Sequence, residues 1–218
     1  LGTAIHMYLQ DSKDMIAYEP DLSQIKTKEG VIAKNPGMTN EGKALINAFR
    51  DTLPKGIVAV PFETKALLES VELNFKSNPE IQELMSRVTA VEGAYLDTIS
   101  GLNFKGKLDF EGPDFIMDLK STGKSAGENS FRYTIRDSHY DLQAAIYLTM
   151  KAQTQEIPVE SLKYYIVAVE TFPPYEVIPY QLSDMTLMNG FEKLKTVCQL
   201  YDNYIRIKRP YKRGIIVI

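Results

Sequence analysis

Thiols are almost absent from this 218-residue chain: Cys198 is the single cysteine. That rules out an intrachain disulfide and any four-cysteine zinc or iron–sulfur site within one chain. A bound metal must therefore be held mainly by oxygen and nitrogen. Long apolar runs are missing too. Nothing approaches the roughly 20 consecutive apolar residues of a membrane span, and the opening LGTAIHMYLQ lacks the basic flank and continuous apolar stretch of a secretion signal. A soluble, cytoplasmic protein with no membrane partner is expected. Nor is positive charge in excess, since the net charge of −3 argues against a uniformly basic nucleic-acid coat. Internal repeats and low-complexity tracts are likewise lacking.

What is present suits one ordinary globular domain over 1–218: 44% hydrophobic and 24% charged residues supply one sizeable core. The first ten residues read as the interior of a helix with no capping residue before them, so upstream residues are expected to be missing. Positive charge concentrates near the other end. Arg206, Lys208, Arg209, Lys212 and Arg213 put five cations into eight residues, leaving 20 basic against 28 acidic residues elsewhere. The run fits either a solvated helix end or a local phosphate-binding patch.

Apolar periodicity predicts helices near 1–10, 40–50, 63–75 and 79–87, with caps at Asn40 and at Ser77 or Asn78 and with Pro79 in a first turn. From Val88 the period changes to two, and VTAVEGAYLDTI, LNFKGKLDF and DFIMDLK read as strands. Glu111-Gly112-Pro113-Asp114 forms the turn between the last two. After a polar loop come a helix (138–153), two strands (162–171 and 175–180) and a long helix (183–207) capped by Ser183 or Asp184. Helices on a mixed central sheet make the fold class α/β or α+β.

Two fragments between Gly106 and Ala126 invite chemistry. Gly123-Lys124-Ser125 resembles the end of a phosphate-binding loop, but the first glycine of that pattern falls on Asp118, whose charge repels phosphate. The following AGENSFRYT does not read as the helix that completes such a cradle, which also disfavours an ATPase. Asp118-Leu119-Lys120 is different. Side chains alternate along a strand, so Asp118 and Lys120 share a face. With a four-residue turn, Asp109 lies opposite Ile116 and Lys107 opposite Asp118. Asp109 and Asp118 are then diagonal neighbours with β-carbons roughly 7–8 Å apart. Two such carboxylates suit Mg²⁺, with Mn²⁺ able to substitute, while a lysine can orient the attacking water. Charged residues on an exposed hairpin face are the plainer alternative.

Asp109 followed by Asp118-Leu119-Lys120 on the next strand resembles the motif of the PD-(D/E)XK nuclease superfamily. Gly2-Thr3-Ala4-x-His6, Glu92 and Asp141-Leu142-Gln143-Ala144-Ala145-x-Tyr147 follow in an order similar to that of the RecE (exonuclease VIII) and RecB-like nucleases, including phage recombination exonucleases. The resemblance implies a restriction-endonuclease-like core. Asp109, Asp118 and the Leu119 carbonyl would be metal ligands, with His6 and Glu92 at the metal or its water. Lys120 would serve the nucleophilic water, and Gln143 and Tyr147 would shape the site and the DNA path. Taken alone, His6 fits a packing histidine, Glu92 a solvated strand residue, and Gln143 and Tyr147 amphipathic helix positions; His139 reads as a surface histidine. The implied function is a Mg²⁺-dependent exonuclease digesting linear double-stranded DNA 5′ to 3′ in phage-type recombination. A ring-shaped homo-oligomer and a single-strand annealing recombinase partner go with it. The rivals are a RecB-like repair or CRISPR-associated nuclease and a non-catalytic DNA-binding module of the same fold.

Overall fold

The structure, a computed structural model, describes residues 1–207 except the side chains of 203 and 205–207. Helix α1 (Gly2–Leu9) leads through strand β1 (Ile16–Tyr18) and an irregular segment to α2 (Asn40–Asp51), β2 (Val58–Val60), α3 (Thr64–Ser77) and α4 (Pro79–Met85). Then come β3 (Ala90–Ile99), β4 (Leu102–Gly112), β5 (Phe115–Thr122), α5 (Glu128–Asp137), α6 (Tyr140–Gln155), β6 (Lys163–Glu170), β7 (Val177–Gln181) and α7 (Asp184–Ile207). The main sheet runs β3-β4-β5-β6-β7 and is antiparallel except where β5 lies parallel to β6. That parallel pair needs a long crossover, which α5 and α6 provide. Helices cover both faces: α1, α3 and α4 pack on Phe110, Met117, Leu119 and Val167, while α5 and α6 pack on Leu108, Ile116, Tyr164 and Ile166. Covered on both sides, β5 is buried almost throughout and reads as an apolar run broken by Asp118 and Lys120. Each large apolar side chain so buried contributes roughly 1.5–3 kcal/mol. The architecture is the mixed α/β one expected, and no helix among the described residues is long and apolar enough to cross a membrane.

Three local expectations are corrected. The hairpin turn is two residues, Pro113-Asp114, because Gly112 pairs with Phe115 and Glu111 with Ile116. The register therefore slides by two. The cap of α2 is Thr39, whose Oγ1 accepts from the Gly42 N–H at 3.0 Å, with Asn40 already helical; Asn78 does cap α4, accepting from the Ile81 N–H at 3.0 Å. Within the supposed polar loop lies α5, which packs Phe131 and, less deeply, Ile135 on the core. One argument against a phosphate loop thereby falls, while the carboxylate of Asp118 in the glycine position still stands. The short parallel strands β1 and β2 were not legible either.

Candidate active site

The site begins where two β-ladders fail at one point. Leu108 packs toward α6 and Phe110 toward α1, although residues two apart share a face in a regular strand; β4 is irregular at Asp109. On β3 the pairs step from Val91↔Phe110 to Gly93↔Leu108, skipping Glu92 and Asp109. Glu92 has φ of 58°, left-handed backbone that a non-glycine residue seldom adopts. On the other side the β4–β5 ladder ends at Phe110↔Met117. Continued, it would aim the Leu119 N–H at the carbonyl of Leu108. Instead that N–H donates to Asp109 Oδ2 at 2.8 Å. The carboxylate has replaced a main-chain acceptor, and its strand is parted from β5. Because a strand residue's N–H and C=O point to the same edge, the Leu119 carbonyl faces the same gap.

Asp118 lies opposite Asp109 in this register, not diagonal to it as the longer turn implied. The slide is an even number of residues, so the two remain on one face. Asp118 is 3% exposed. Burial pushes its carboxyl up to about 6, and the charge of Asp109 adds to this against the opposing pull of Lys120. Lys120 Nζ stands 2.5 Å from Asp118 Oδ2 and 5.0 Å from the ring centroid of Tyr140 at the start of α6. Oδ2 thus has the Lys120 ammonium as its close partner, and the buried Tyr164 hydroxyl stands by the same carboxylate. Burial, then the charge of Asp118, pushes the Tyr164 phenol well above its ordinary range.

From the other side α1 reaches in. His6 Nδ1 lies 3.3 Å from Asp109 Oδ1. Burial alone would lower the imidazole's pKa, but the hydrogen bond and charge of Asp109, with Asp118 behind it, hold it above the ordinary histidine value. Gln10, four residues on and so on the same helix face, sits between two carboxylates. Its amide donates to Asp109 Oδ1 at 3.3 Å in one orientation and to Glu92 Oε1 at 3.1 Å in the other. Glu92 itself is ion-paired with Lys107 and is largely solvated.

The structure thus pairs His6 with Asp109 and Lys120 with Asp118, brings the two pairs together where Asp109 holds the Leu119 N–H, and sets Gln10 between Asp109 and Glu92. Gln143 and Tyr147 are not joined to them by any hydrogen bond. Tyr147 packs on Gly106 of β4, where a β-carbon would come within 2.8 Å of its ring, and Gln143 is half-buried one turn away. From α6, Tyr140 lies against Lys120, and Tyr147 is close enough to help raise the pKa of Tyr164 beside Asp118. Sequence reading missed Gln10 and Tyr140, although Gln10 at His6+4 and Tyr140 at Gln143−3 could have been found from helical spacing. Tyr164, buried in a strand of apolar neighbours, carried no such signal. His139 is exposed, as expected. The basic run expected at Arg206–Arg213 lies outside the described residues, apart from the helical backbone of Arg206.

Among the described residues no three His, Cys, Asp or Glu side chains converge as a metal cage. The donors that do converge, two carboxylates and a main-chain carbonyl, are all oxygen, and one carboxylate, Asp118, is buried with its pKa raised. They fit a hard divalent cation that keeps most of its water, and they do not fit a closed zinc site.

The family model described as a PDDEXK-like domain of unknown function, DUF3799, matches residues 1–212. Among solved structures, a protein from Eubacterium rectale provisionally described as an exonuclease superposes with a TM-score of 0.59 at 16% identity. The match covers 99% of this chain and 75% of that one. No curated protein matches in sequence.

Proposed function

The chain belongs to the PDDEXK-like family, and on that footing we propose that it is a metal-dependent nuclease acting on DNA. In finer terms it is a Mg²⁺-dependent exonuclease that digests one strand of linear double-stranded DNA from the 5′ end, in phage-type recombination. The observation that carries the nuclease reading is the buried carboxylate of Asp118, set beside Asp109 and Lys120 at a parted pair of strands. PDDEXK nucleases generally use divalent ions, and such an ion would supply Lewis acidity toward a scissile phosphate and a lowered pKa for its water. Asp109 and Asp118 would hold it, with the Leu119 carbonyl. Lys120 donates to the attacking water and offsets the charge that develops on phosphate. His6 orients the Asp109 carboxylate, Gln10 borders it, and Glu92 would accept a hydrogen bond from water at the site. The exonuclease polarity, the recombinase partner and a ring-shaped oligomer are supported by the order of motifs from Gly2 to Tyr147 that resembles the RecE group.

The test is incubation of linear 5′-phosphorylated duplex, end-labelled, beside closed circular DNA, in Mg²⁺ or EDTA, with wild type and Lys120→Ala. Mg²⁺-dependent shortening from 5′ ends, absent on circles and in the variant, is the expected result. Cleavage of circles would replace the exonuclease with an endonuclease, and folded wild type that cuts no DNA would leave a binding module.

A further inference from the structure

Beyond Lys120 the strand β5 runs out into Gly123-Lys124-Ser125, and between this exit and α5 opens a cleft of about 650 Å³. The wall made by α5 and its C-cap carries Ser130, Tyr133, Thr134, Asp137 and Ser138, positions at three- and four-residue intervals that make up one helix face. This face is open to solvent, with Tyr133, Asp137 and Ser138 exposed, and it presents four hydroxyls opposite Ser121 and Lys124.

These hydroxyls are uncommitted. Some helical Ser and Thr elsewhere in the chain fold back on their own helix, Ser70 to the Ala66 carbonyl at 2.8 Å, Thr149 to Ala145 at 2.7 Å and Thr196 to Glu192 at 2.9 Å, whereas Thr154 does not. Ser130, Tyr133, Thr134, Ser138 and Ser121 make no side-chain hydroxyl hydrogen bond of this or any other kind. Charge points the same way. The acid on the wall, Asp137, is neutralised by Arg136, whose Nη2 is 2.8 Å from its Oδ1, while Lys124 has no ion-pair partner. Tyr133 is 54% exposed, and Arg136 lies 5.1 Å from its ring centroid.

A lone ammonium, several free hydroxyls and an exposed aromatic ring are the parts with which proteins hold a single nucleic-acid strand. Cation and hydroxyls take phosphate and sugar, and the ring stacks on a base. The cleft is of a size to accept a nucleotide and starts one residue after Lys120. We propose that it binds a nucleotide of the substrate strand adjacent to the scissile phosphate, with the phosphate on Lys124, Ser130 and Thr134 and the base against Tyr133. This rests on the nuclease reading above and adds to it the path of the strand. It also gives Gly123-Lys124-Ser125 a role on phosphate that is not that of a nucleotide-hydrolysing loop.

The experiment measures binding of a short fluorescein-labelled oligodeoxythymidylate by anisotropy in EDTA, across a salt series, for wild type, Lys124→Ala and Tyr133→Ala. Cleavage kinetics in Mg²⁺ are read alongside. Both side chains are exposed, and an unchanged melting temperature checks that the variants fold. Expected are a roughly tenfold weaker complex for Tyr133→Ala and a salt slope smaller by about 0.7 for Lys124→Ala. In cleavage, KM should rise by more than kcat falls. Wild-type binding and cleavage retained in both variants would overturn the cleft and leave the nuclease reading standing. Wild type that cuts nothing yet loses oligonucleotide affinity in both variants would overturn the nuclease reading and keep the cleft. Absence of oligonucleotide binding by wild type would overturn the cleft.

Discussion

Replacing Asp118 by Asn should stabilise the metal-free protein while abolishing its chemistry. The folded carboxyl is held up to about 6 against an ordinary 3.8, so its protonated form is the one the fold favours. The stability it contributes is fully present below about pH 4 and is lost as pH rises through about 6. A displacement of about two pH units corresponds to roughly 3 kcal/mol, a balance that already includes the attraction of Lys120. Asparagine is neutral at every pH and avoids that loss. Thermal unfolding in EDTA should show Asp118→Asn and wild type nearly equal at about pH 4. At about pH 8 the variant should melt higher by roughly 6–12 °C, taking about 2–4 °C per kcal/mol for a chain of this length. Mg²⁺ should then raise wild type and not the variant, by about 2.7 kcal/mol at a hundred times its dissociation constant. A variant no more stable than wild type at about pH 8, or equally favoured at both pH values, would refute the claim that a buried charge sits at Asp118.

Asp109→Ala should strand the Leu119 N–H, at a cost of about 1–3 kcal/mol, whereas Asp109→Asn keeps an acceptor there. Amide hydrogen exchange at Leu119 should be fast in the first and slow in the second. The pair His6–Asp109 has a raised histidine pKa, so its contribution is present below the ordinary histidine value and disappears as pH rises through the raised one. Urea unfolding of His6→Ala against wild type in EDTA should therefore show a deficit at acid pH that closes on the alkaline side. Gly106→Ala would put a β-carbon 2.6 Å from Met150 Cε and 2.8 Å from the Tyr147 ring. Urea unfolding should give a loss of about 1–3 kcal/mol by overpacking.

Strand and helix positions were legible wherever one periodicity ran long enough, as in β3 to β5 and in α6 and α7. The relation between Asp109 and Asp118 was legible for a weaker reason. Glu111 and Gly112 were taken for turn residues when they belong to β4, and the register was wrong by two. An error of two preserves which face each side chain occupies, whereas an error of one would have separated the carboxylates. What no local pattern could reveal is the parting of β4 from β5, because it is made by a side chain, Asp109, standing in for a main-chain acceptor, and is held by His6 and Gln10 from a helix about a hundred residues distant. The loss of α5 has another cause. Its apolar side is short: Phe131 and Ile135, one turn apart, pack on the core, while Glu128, Arg132 and Arg136 are exposed. Two apolar contacts, entered through Gly123-Lys124-Ser125 and Gly127, read as a polar loop although the helix has one apolar and one charged side.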